Sequence, residues 1–281
     1  MDQDRIEGVT RYAVVGDPVA HSQSPRIHTL FAEQTGEELI YTKQRVTVDE
    51  FTQFVGSFFA ENGGGLNVTL PHKETAFELA DGHSRRSKLA RAANTLWLGD
   101  DGSLQADNTD GAGLVHDLSI NNRITLTNRK LLVLGAGGAA RGALASLVEC
   151  GLSSITVLNR TLARATALKA DFAAVYPINV QDFTSARLSP HDIIINATSM
   201  SLSGYIPPLD PDLLSDHCCC YDMMYSPKPT AFMDWAKRHG AGKVFDGIGM
   251  LVEQAAESFF VWRGVRPETA DVIATLQRVS A

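Results

Sequence analysis

A glycine-rich turn near the middle of the chain has the residue types and spacing that bind a pyrophosphate. Gly135, Gly137 and Ala140 fit the pattern G-x-G-x-x-G/A, and they follow four aliphatic residues, 131–134, that predict a buried parallel strand. Gly137 lets the backbone approach a phosphate, and the apolar helical run 139–148 would offer free N–H groups and the positive end of its dipole. The pattern alone leaves open a tight strand–helix turn that binds no nucleotide.

An arginine pair after the next predicted strand favours NADP over NAD. The strand 154–158 is followed by Asn159-Arg160-Thr161, and Arg164 lies one helical turn later. An NAD site typically has Asp or Glu about 20 residues after the glycines, where it binds the ribose 2′-hydroxyl, and this chain has neither there. A guanidinium instead forms forked, charge-assisted bonds to a 2′-phosphate. The alternative, a solvated arginine at a helix start, stays open on the pattern alone.

Two polar segments in the first third of the chain are further candidates for chemistry. Ser24 and Pro25 predict a helix start, with Ser24 as the N-cap and Pro25 as the first helical residue. Ser22 is not needed for that cap. The hydroxyls of Ser22 and Ser24 therefore either bind a carboxylate or only cap the helix. Lys73 lies in the first turn of a helix after the strand 66–70, where its charge opposes the helix dipole. It is either simply exposed or functional.

These groups lie in a chain that alternates strands and helices. Before the glycine turn, the hydrophobic pattern predicts strands at 12–16, 39–46, 66–70 and 94–98 and helices at 24–36, 49–62 and 84–93, with Gly63-Gly64-Gly65 ending the second helix. After it, strands at 154–158, 192–196, 218–221 and 244–245 are predicted with helices at 162–172, 230–239, 250–263 and 267–279. The polar turn 121–123 separates the two parts. The sequence therefore predicts two α/β domains with a cleft between them.

Composition restricts the class of protein further. The 281 residues are 44% hydrophobic and 20% charged, as expected for a globular protein of one large or two modest domains. The formal net charge of −7 argues against nucleic-acid binding. No apolar run reaches the length of about 18 residues that a membrane-spanning helix needs. The first residues are polar and acidic, unlike a signal peptide, so a cytoplasmic location is expected.

The four cysteines do not have the spacing of a metal or redox site. Cys150 is isolated, and Cys218, Cys219 and Cys220 are consecutive, without a C-x-x-C pattern or a neighbouring histidine pair. We expect reduced, packed cysteines and no bound metal ion.

Nine short segments, spread over nearly the whole chain, carry a further pattern. In order they are Ser22-x-Ser24-Pro25, Asn67-Val68-Thr69-x-Pro71-x-Lys73, Asn94-Thr95, Asn108-Thr109-Asp110-Gly111, Gly135-x-Gly137-Gly138-Ala139, Asn159-Arg160-Thr161, Asn196-Ala197-Thr198-Ser199, Tyr221-Asp222-Met223-x-Tyr225-x-Pro227 and Asp246-Gly247-x-Gly249-Met250-Leu251-Val252-x-Gln254-Ala255. Together they resemble the shikimate dehydrogenase family, whose relatives include quinate/shikimate dehydrogenases of the same fold.

The resemblance implies an enzyme that reversibly reduces 3-dehydroshikimate to shikimate with NADPH, a step of chorismate and aromatic amino-acid biosynthesis. It implies that Lys73 is the catalytic acid/base, that it is paired with Asp110, and that Ser22 and Ser24 bind the substrate carboxylate. The residues implied to bind the ring hydroxyls or to border them are Asn67, Thr69, Asn94, Asp110, Tyr225 and Gln254.

The resemblance also implies NADP(H) as the cofactor and a two-domain α/β fold. An N-terminal α/β substrate domain would comprise residues 1–110 and 255–281, and a Rossmann-type NADP-binding domain with a parallel sheet would comprise residues 111–254. The residues implied to face the cofactor are Gly135, Ala136, Gly137, Gly138, Ala139, Asn159, Arg160, Thr161, Arg164, Thr198, Met223 and Gly247.

These implications meet the physical needs of the reaction. Hydride delivery to a ketone requires a proton donor beside the carbonyl oxygen, which Lys73 can be, and Asp110 can orient it. Two other functions stay open. A catalytically silent NADP-binding sensor would have no reason to keep Lys73 with Asp110, and a quinate-preferring or dual-specificity enzyme would differ only in its substrate. The sequence also leaves open whether the chain is a monomer or a homodimer.

Overall fold

The chain forms two compact units. The computed structural model describes residues 9–183 and 188–280. The first unit comprises the chain up to Gly113 together with Val252–Val272, and the second comprises Leu114–Leu251 together with the residues from Ile273 onward. Each unit contains one six-stranded sheet.

The first unit is built on a mixed sheet of order β2-β1-β3-β5-β6-β4. Its strands are β1 (Thr10–Gly16), β2 (Leu39–Arg45), β3 (Gly63–Val68), β4 (Gly82–His83), β5 (Thr95–Leu98) and β6 (Leu104–Asp107). β1 pairs in parallel with β2 and β3, whereas β5 runs antiparallel to both β3 and β6. The short strand β4, which the hydrophobic pattern does not predict, pairs in parallel with β6.

The helices of the first unit cover both faces of β1. They are α1 (Ser24–Thr35), α2 (Phe51–Ala60), α3 (Lys73–Leu79) and α4 (Arg85–Ala90), followed by α5 (Asp110–His116), which begins in this unit. Ala13 and Val15 pack in a cluster with residues of α2 and α3, and the alternate residues Tyr12 and Val14 pack with Tyr41. Both faces of β1 are therefore buried, as its uninterrupted apolar sequence requires.

The glycine triplet 63–65 does not end α2 as predicted; it forms the first half of β3. A Cβ atom at Gly64 would lie 2.4 Å from Thr10 Cγ2, and one at Gly65 would lie 2.5 Å from Trp262 Nε1. The missing side chains let neighbouring residues lie directly on the strand. The triplet therefore reflects close packing rather than a helix stop.

The second unit is built on an entirely parallel sheet of order β12-β11-β10-β7-β8-β9. Its strands are β7 (Lys130–Leu134), β8 (Ser154–Leu158), β9 (Ile178–Gln181), β10 (His191–Asn196), β11 (Leu214–Asp222) and β12 (Lys243–Phe245). β9 is a four-residue edge strand that the hydrophobic pattern does not predict. The order reverses between β7 and β10, and in such a sheet ligands bind outside the carboxyl ends of the strands at the reversal.

Helices connect these strands in the second unit. They are α6 (Gly138–Leu147), α7 (Leu162–Phe172) and α8 (Ala231–Arg238), followed by α9 (Ile248–Arg263) and α10 (Ala270–Ser280), each of which is divided between the units. A one-turn π-helix, Asp117–Asn121, continues α5. The segment after β10 contains a short 3-10 helix, Ser199–Ser203.

The cysteines are free and mostly buried. Cys218, Cys219 and Cys220 lie in β11, Cys150 is partly exposed, and none of the four forms a disulfide. Among the helices of residues 9–183 and 188–280, none is both long and apolar enough to cross a membrane.

Candidate active site

An ion pair joins the first residues of two helices in the first unit. Lys73 begins α3 and Asp110 begins α5, and Lys73 Nζ lies 2.5 Å from Asp110 Oδ2. Both side chains are largely buried, with 22% and 12% of their surfaces exposed. The positive end of a helix dipole disfavours an ammonium and favours a carboxylate. Asp110 therefore offsets the unfavourable position of Lys73 and fixes its ammonium in one place.

Asn94 holds the other oxygen of the same carboxylate. Its Nδ2 donates to Asp110 Oδ1 at 2.8 Å and to Thr109 Oγ1 at 2.9 Å, and it lies 3.3 Å from Gln254 Oε1. The backbone N–H of Thr109 donates to Asn94 Oδ1 at 2.8 Å. One amide thus orients Asp110 and brings Gln254 of α9 to the same place. A Cβ at Gly113 would lie 2.5 Å from the Gln254 backbone nitrogen, so a glycine is required where α5 meets this part of α9.

The two predicted carboxylate-binding serines contact each other, but their roles at the helix end differ from the prediction. Ser22 Oγ donates to Ser24 Oγ at 3.1 Å and accepts the Ser24 backbone N–H at 3.2 Å. Ser24 is the first residue of α1 rather than its N-cap, and Gln23, at the cap position, makes no side-chain cap bond. The prediction of Ser24 as N-cap was wrong because Ser22, two residues earlier, satisfies the Ser24 backbone donor.

Thr69 lies in the turn between β3 and α3. Its backbone N–H donates to Val15 O at 2.9 Å, and its carbonyl accepts the His72 N–H at 3.1 Å. A Cβ at Gly16 would lie 2.4 Å from Thr69 Cγ2, so the end of β1 must be glycine for this turn to pack. The turn sets where Lys73 begins its helix.

Asn67 is buried, and its amide bonds to protein atoms on both sides. Tyr41 OH donates to Asn67 Oδ1 at 2.6 Å, and Asn67 Nδ2 donates to the Asn94 carbonyl at 3.1 Å and to Ser258 Oγ at 3.0 Å. The predictions included neither Tyr41 nor Ser258, because an isolated tyrosine in a strand and a serine in an apolar helix carry no motif. Their part in the site is visible only from their contacts.

The glycine turn of the second unit has the geometry that a pyrophosphate needs. Gly135 follows β7 with φ +106°, and a Cβ there would lie 3.0 Å from Thr198 Cγ2. Gly137 and Gly138, at the start of α6, are exposed, and a Cβ built on either has no protein atom within 4 Å. Ala140 is fully buried. The first glycine thus makes the turn, the next two leave the helix start open to a phosphate, and the alanine packs.

The residues predicted to bind a 2′-phosphate lie after β8, next to the glycine turn in the sheet. Asn159 Nδ2 donates to Thr161 O at 2.8 Å, which fixes the loop that leads into α7. Arg160 and Arg164 are exposed, and their guanidinium groups make no ion pair or hydrogen bond to any residue that the structure describes. Two unengaged cations at this edge are available to an anionic ligand.

Three further predicted cofactor contacts surround the carboxyl ends of β10 and β11. Thr198 Oγ1 donates to Asn196 Oδ1 at 2.8 Å, and the Met223 N–H donates to Asn196 O at 3.0 Å. Gly247 approaches this backbone so closely that a Cβ there would lie 2.3 Å from Met223 O. Tyr225, a predicted substrate contact, also belongs to this unit; it is half-buried, and burial raises its pKa.

No three His, Cys, Asp or Glu side chains among residues 9–183 and 188–280 group in a way that could hold a metal ion. An ammonium such as that of Lys73 can donate a proton, and an open glycine turn at a sheet reversal, as in the second unit, can accept a dinucleotide phosphate. The two sets of residues together fit a dehydrogenase.

Three family models match the chain. The substrate binding domain of shikimate dehydrogenase matches residues 14–96, the shikimate / quinate 5-dehydrogenase model matches residues 118–203, and the shikimate 5'-dehydrogenase C-terminal domain matches residues 247–277. The first match contains Lys73 and Asn94, the second contains the glycine turn and Arg160, and the third contains Gln254 and Ser258.

Named relatives and a solved structure agree with these matches. The NADP(+) shikimate dehydrogenase of Methylococcus capsulatus is 51% identical over 95% of this chain and 96% of its own length. That of Alkalilimnicola ehrlichii is 50% identical over 95% and 98%. The crystal structure of a Thermus thermophilus shikimate 5-dehydrogenase with NADP(H) and shikimate has a TM-score of 0.85 at 32% identity, over 97% of this chain and 100% of that one. The chain therefore belongs to the shikimate dehydrogenase family.

Proposed function

We propose that the protein catalyses the reversible, NADPH-dependent reduction of 3-dehydroshikimate to shikimate, a step of chorismate and aromatic amino-acid biosynthesis. The observation that carries the proposal is the buried pair of Lys73 Nζ and Asp110 Oδ2 at 2.5 Å, with Asn94 on the second carboxylate oxygen. The relatives that are 50% and 51% identical over nearly the full length are named for this activity and this cofactor. A silent NADP-binding sensor would not need the buried ion pair.

Lys73 carries the proton of the reaction. NADPH would supply the hydride when bound, and the ketone oxygen that receives negative charge takes a proton from the Lys73 ammonium. Asp110 keeps the Lys73 side chain beside that oxygen, and in the reverse direction Lys73 accepts the hydroxyl proton. Because Asp110 is itself held by Asn94, neither side chain has to reorganise during the proton transfer.

The polar residues of the first unit bind the substrate. Ser22 and Ser24 hold its carboxylate at the start of α1, where backbone N–H groups also favour an anion. Thr69, Asn94 and Gln254 bind ring hydroxyls, and Asn67 borders the ring site from behind Asn94. Tyr225, which belongs to the second unit, stays a predicted substrate contact. A site that bonds each hydroxyl discriminates strongly against analogues that lack one, because its polar groups would be left unpaired.

The turn after β7 and the loop after β8 bind the cofactor. The open backbone at Gly137 and Gly138 fits a pyrophosphate at the start of α6. Arg160 and Arg164 bind the 2′-phosphate, and Asn159 and Thr161 shape their loop. The remaining contacts are Gly135, Ala136, Ala139, Thr198, Met223 and Gly247.

The same proposal covers the organisation of the chain. Residues 1–110 and 255–281 form the substrate domain, and residues 111–254 form the NADP domain. The enzyme acts in the cytoplasm. Whether it works as a monomer or as a homodimer can be tested by light scattering of the purified protein.

The test is a matrix of two substrates and two cofactors. Purified protein is mixed with shikimate or quinate and with NADP+ or NAD+, and the absorbance of the reduced nicotinamide is followed. We expect turnover with shikimate and NADP+ to be the fastest of the four combinations. Absence of turnover in all four, with NADP+ still bound, would favour the silent sensor. Faster turnover of quinate would favour the quinate-preferring alternative.

A further inference from the structure

Two buried hydroxyl groups that the proposed reaction does not use lie behind the Lys73–Asp110 pair. They belong to Tyr41 on β2 and to Ser258 on α9, and Ser258 is fully buried. Neither contacts Lys73 or Asp110, yet both contact Asn67, which donates to the Asn94 carbonyl. Buried polar groups of this kind need partners, and the identity of those partners fixes how each group is oriented.

Tyr41 fixes the orientation of the Asn67 amide. Its ring stacks on the His28 imidazole, with centroids 4.2 Å apart and planes 7° from parallel, and its OH donates to Asn67 Oδ1 at 2.6 Å. Burial raises the pKa of Tyr41 well above its usual value, so the phenol stays a donor. A donor on that side requires the Asn67 oxygen to face Tyr41, and the Asn67 NH2 then faces the Asn94 carbonyl and Ser258.

Ser258 continues the chain of hydrogen bonds. Its Oγ accepts from Asn67 Nδ2 at 3.0 Å and lies 2.8 Å from Thr95 Oγ1 and 3.1 Å from Thr109 Oγ1. Thr95 Oγ1 in turn donates to Asn94 Oδ1 at 2.9 Å. The Ser258 hydroxyl donates to the Gln254 carbonyl at 3.0 Å, and Asn67 Nδ2 also lies 3.4 Å from Thr95 Oγ1. Asn67, Ser258 and Thr95 therefore form one connected group of hydrogen bonds between Tyr41 and Asn94.

The end of this chain decides which way the Asn94 amide faces. Its Oδ1 receives the Thr95 hydroxyl as well as the Thr109 backbone N–H, so its NH2 must face Asp110 Oδ1, at 2.8 Å. In the flipped amide, an oxygen would face the carboxylate and repel it. The chain of hydroxyls therefore adds a second donor that holds the productive orientation.

We propose that Tyr41 and Ser258 are positioning residues, which hold the Asn94 amide and thereby the Asp110 carboxylate in the place from which it pairs with Lys73. The inference rests on the proposed function, in which Lys73, paired with Asp110, transfers the proton. It also gives Asn67 a place in the supporting chain, between Tyr41 and Ser258.

The first experiment measures steady-state kinetics of Tyr41→Phe, Ser258→Ala and the double variant. Each single change removes one oxygen atom, and we expect kcat/KM for shikimate to fall about 3- to 10-fold, the effect of one lost hydrogen bond. KM for NADP+ stays unchanged. Because both changes interrupt one chain of hydrogen bonds, we expect kcat/KM of the double variant to be no lower than that of the less active single variant.

A matched control separates positioning from a general loss of stability. Tyr176→Phe removes a phenol that donates to Leu152 O at 2.7 Å in the second unit, so it loses a similar hydrogen bond away from Asn94. We expect Tyr176→Phe to change the melting temperature about as much as Tyr41→Phe does and to leave the kinetics with shikimate unchanged. If Tyr41→Phe does not fold, Ser258→Ala carries the comparison.

The second readout does not depend on activity. The side-chain amide resonances of Asn94, assigned by their loss in Asn94→Asp, shift in Tyr41→Phe and Ser258→Ala but not in Tyr176→Phe. Wild-type kinetics in folded variants, or a kinetic loss without a shift of the Asn94 amide, would overturn the proposal. If the wild type itself does not oxidise shikimate, the proposed function fails, and the amide resonances still show whether these two hydroxyls orient Asn94.

Discussion

Lys73 and Asp110 lie 37 positions apart in the sequence, yet each is the first residue of a helix and their charged atoms are 2.5 Å apart. Asp110 uses its other oxygen to accept from Asn94. The arrangement pairs the largely buried Lys73 side chain with a carboxylate and fixes it at a helix end that alone would disfavour a positive charge. It makes Lys73 available as a proton donor and acceptor.

Replacing Lys73 tests this role directly. We expect Lys73→Ala to lower kcat for shikimate oxidation by about 10²-fold or more, because it removes the general acid–base group. Lys88→Ala, at an exposed lysine of α4 in the same unit, serves as the control and should keep the wild-type rate. Near-normal turnover in Lys73→Ala would show that another group transfers the proton.

The glycines of the turn after β7 should separate folding from cofactor binding. Gly137→Ala introduces a Cβ that meets no protein atom, so the melting temperature should stay the same while NADP+ binds about tenfold or more weakly. Gly135→Ala is strained at φ +106° and should destabilise the second unit. Thermal melts and NADP+ titrations of both variants provide the measurement. Equal NADP+ affinity in Gly137→Ala and the wild type would place the pyrophosphate elsewhere.

Arg160 and Arg164 should determine the preference for NADP+. In Arg160→Ala, and more so in the double alanine variant, we expect KM for NADP+ to rise about 10- to 100-fold, since charge-assisted bonds to the 2′-phosphate are lost. KM for NAD+, which lacks that phosphate, should change little. Lys169→Ala removes an exposed cation further along α7 and controls for general charge. A parallel rise of both KM values would contradict the assignment.

A buried carboxylate in α9 makes a stability prediction. Glu253 is fully buried, and its oxygens accept from Arg266 Nη2 at 3.0 Å and from Thr269 Oγ1 at 2.6 Å. Arg266→Ala should lower the free energy of unfolding by about 2 kcal/mol, because it leaves a buried charge with fewer partners, although Arg266 itself is partly exposed. Arg45→Ala breaks an exposed pair with Asp17 and should cost less than about 1 kcal/mol. Urea titrations compare the two; equal effects would contradict the buried-charge argument.

His28 should make the protein less stable in mild acid. Burial lowers its pKa from 6.5 to about 3, so the unfolded chain binds a proton there while the folded chain does not. The unfolded state then holds more protons between these values, and the free energy of unfolding falls as the pH drops below about 6.5, by about 2 kcal/mol at pH 5. Above that range the contribution is constant. Urea titrations from pH 7 to 5 give the free energy of unfolding as a function of pH, and this dependence should be weaker in His28→Phe. An unchanged pH dependence in this variant would show that His28 is not its source.

The local pattern of the chain predicted much of the fold. The aliphatic run before Gly135 and the glycine spacing after it specify a strand, a turn and a helix with little help from distant residues. The predictions failed where packing decides the outcome. Gly63 to Gly65 look like a helix stop but form a strand, in which Phe58 lies against Gly63, Thr10 against Gly64 and Trp262, from the far end of the chain, against Gly65. The edge strands β4 and β9 have too few residues to show the alternation of apolar and polar residues that predicts a strand.

The sequence by itself determined which groups are available for chemistry and in which segments they lie. The glycine turn and the arginine pair are recognisable from type and spacing, whereas Lys73 and Asp110 were marked by the resemblance of their segments to the family. Only the tertiary structure decided which atoms meet. It placed Asn94 on the second oxygen of Asp110 and put Tyr41 and Ser258 behind Asn67, which no motif marks. The physical reason is that a hydrogen bond depends on distance and direction between residues brought together by the sheet, and neither can be deduced from their separation along the chain.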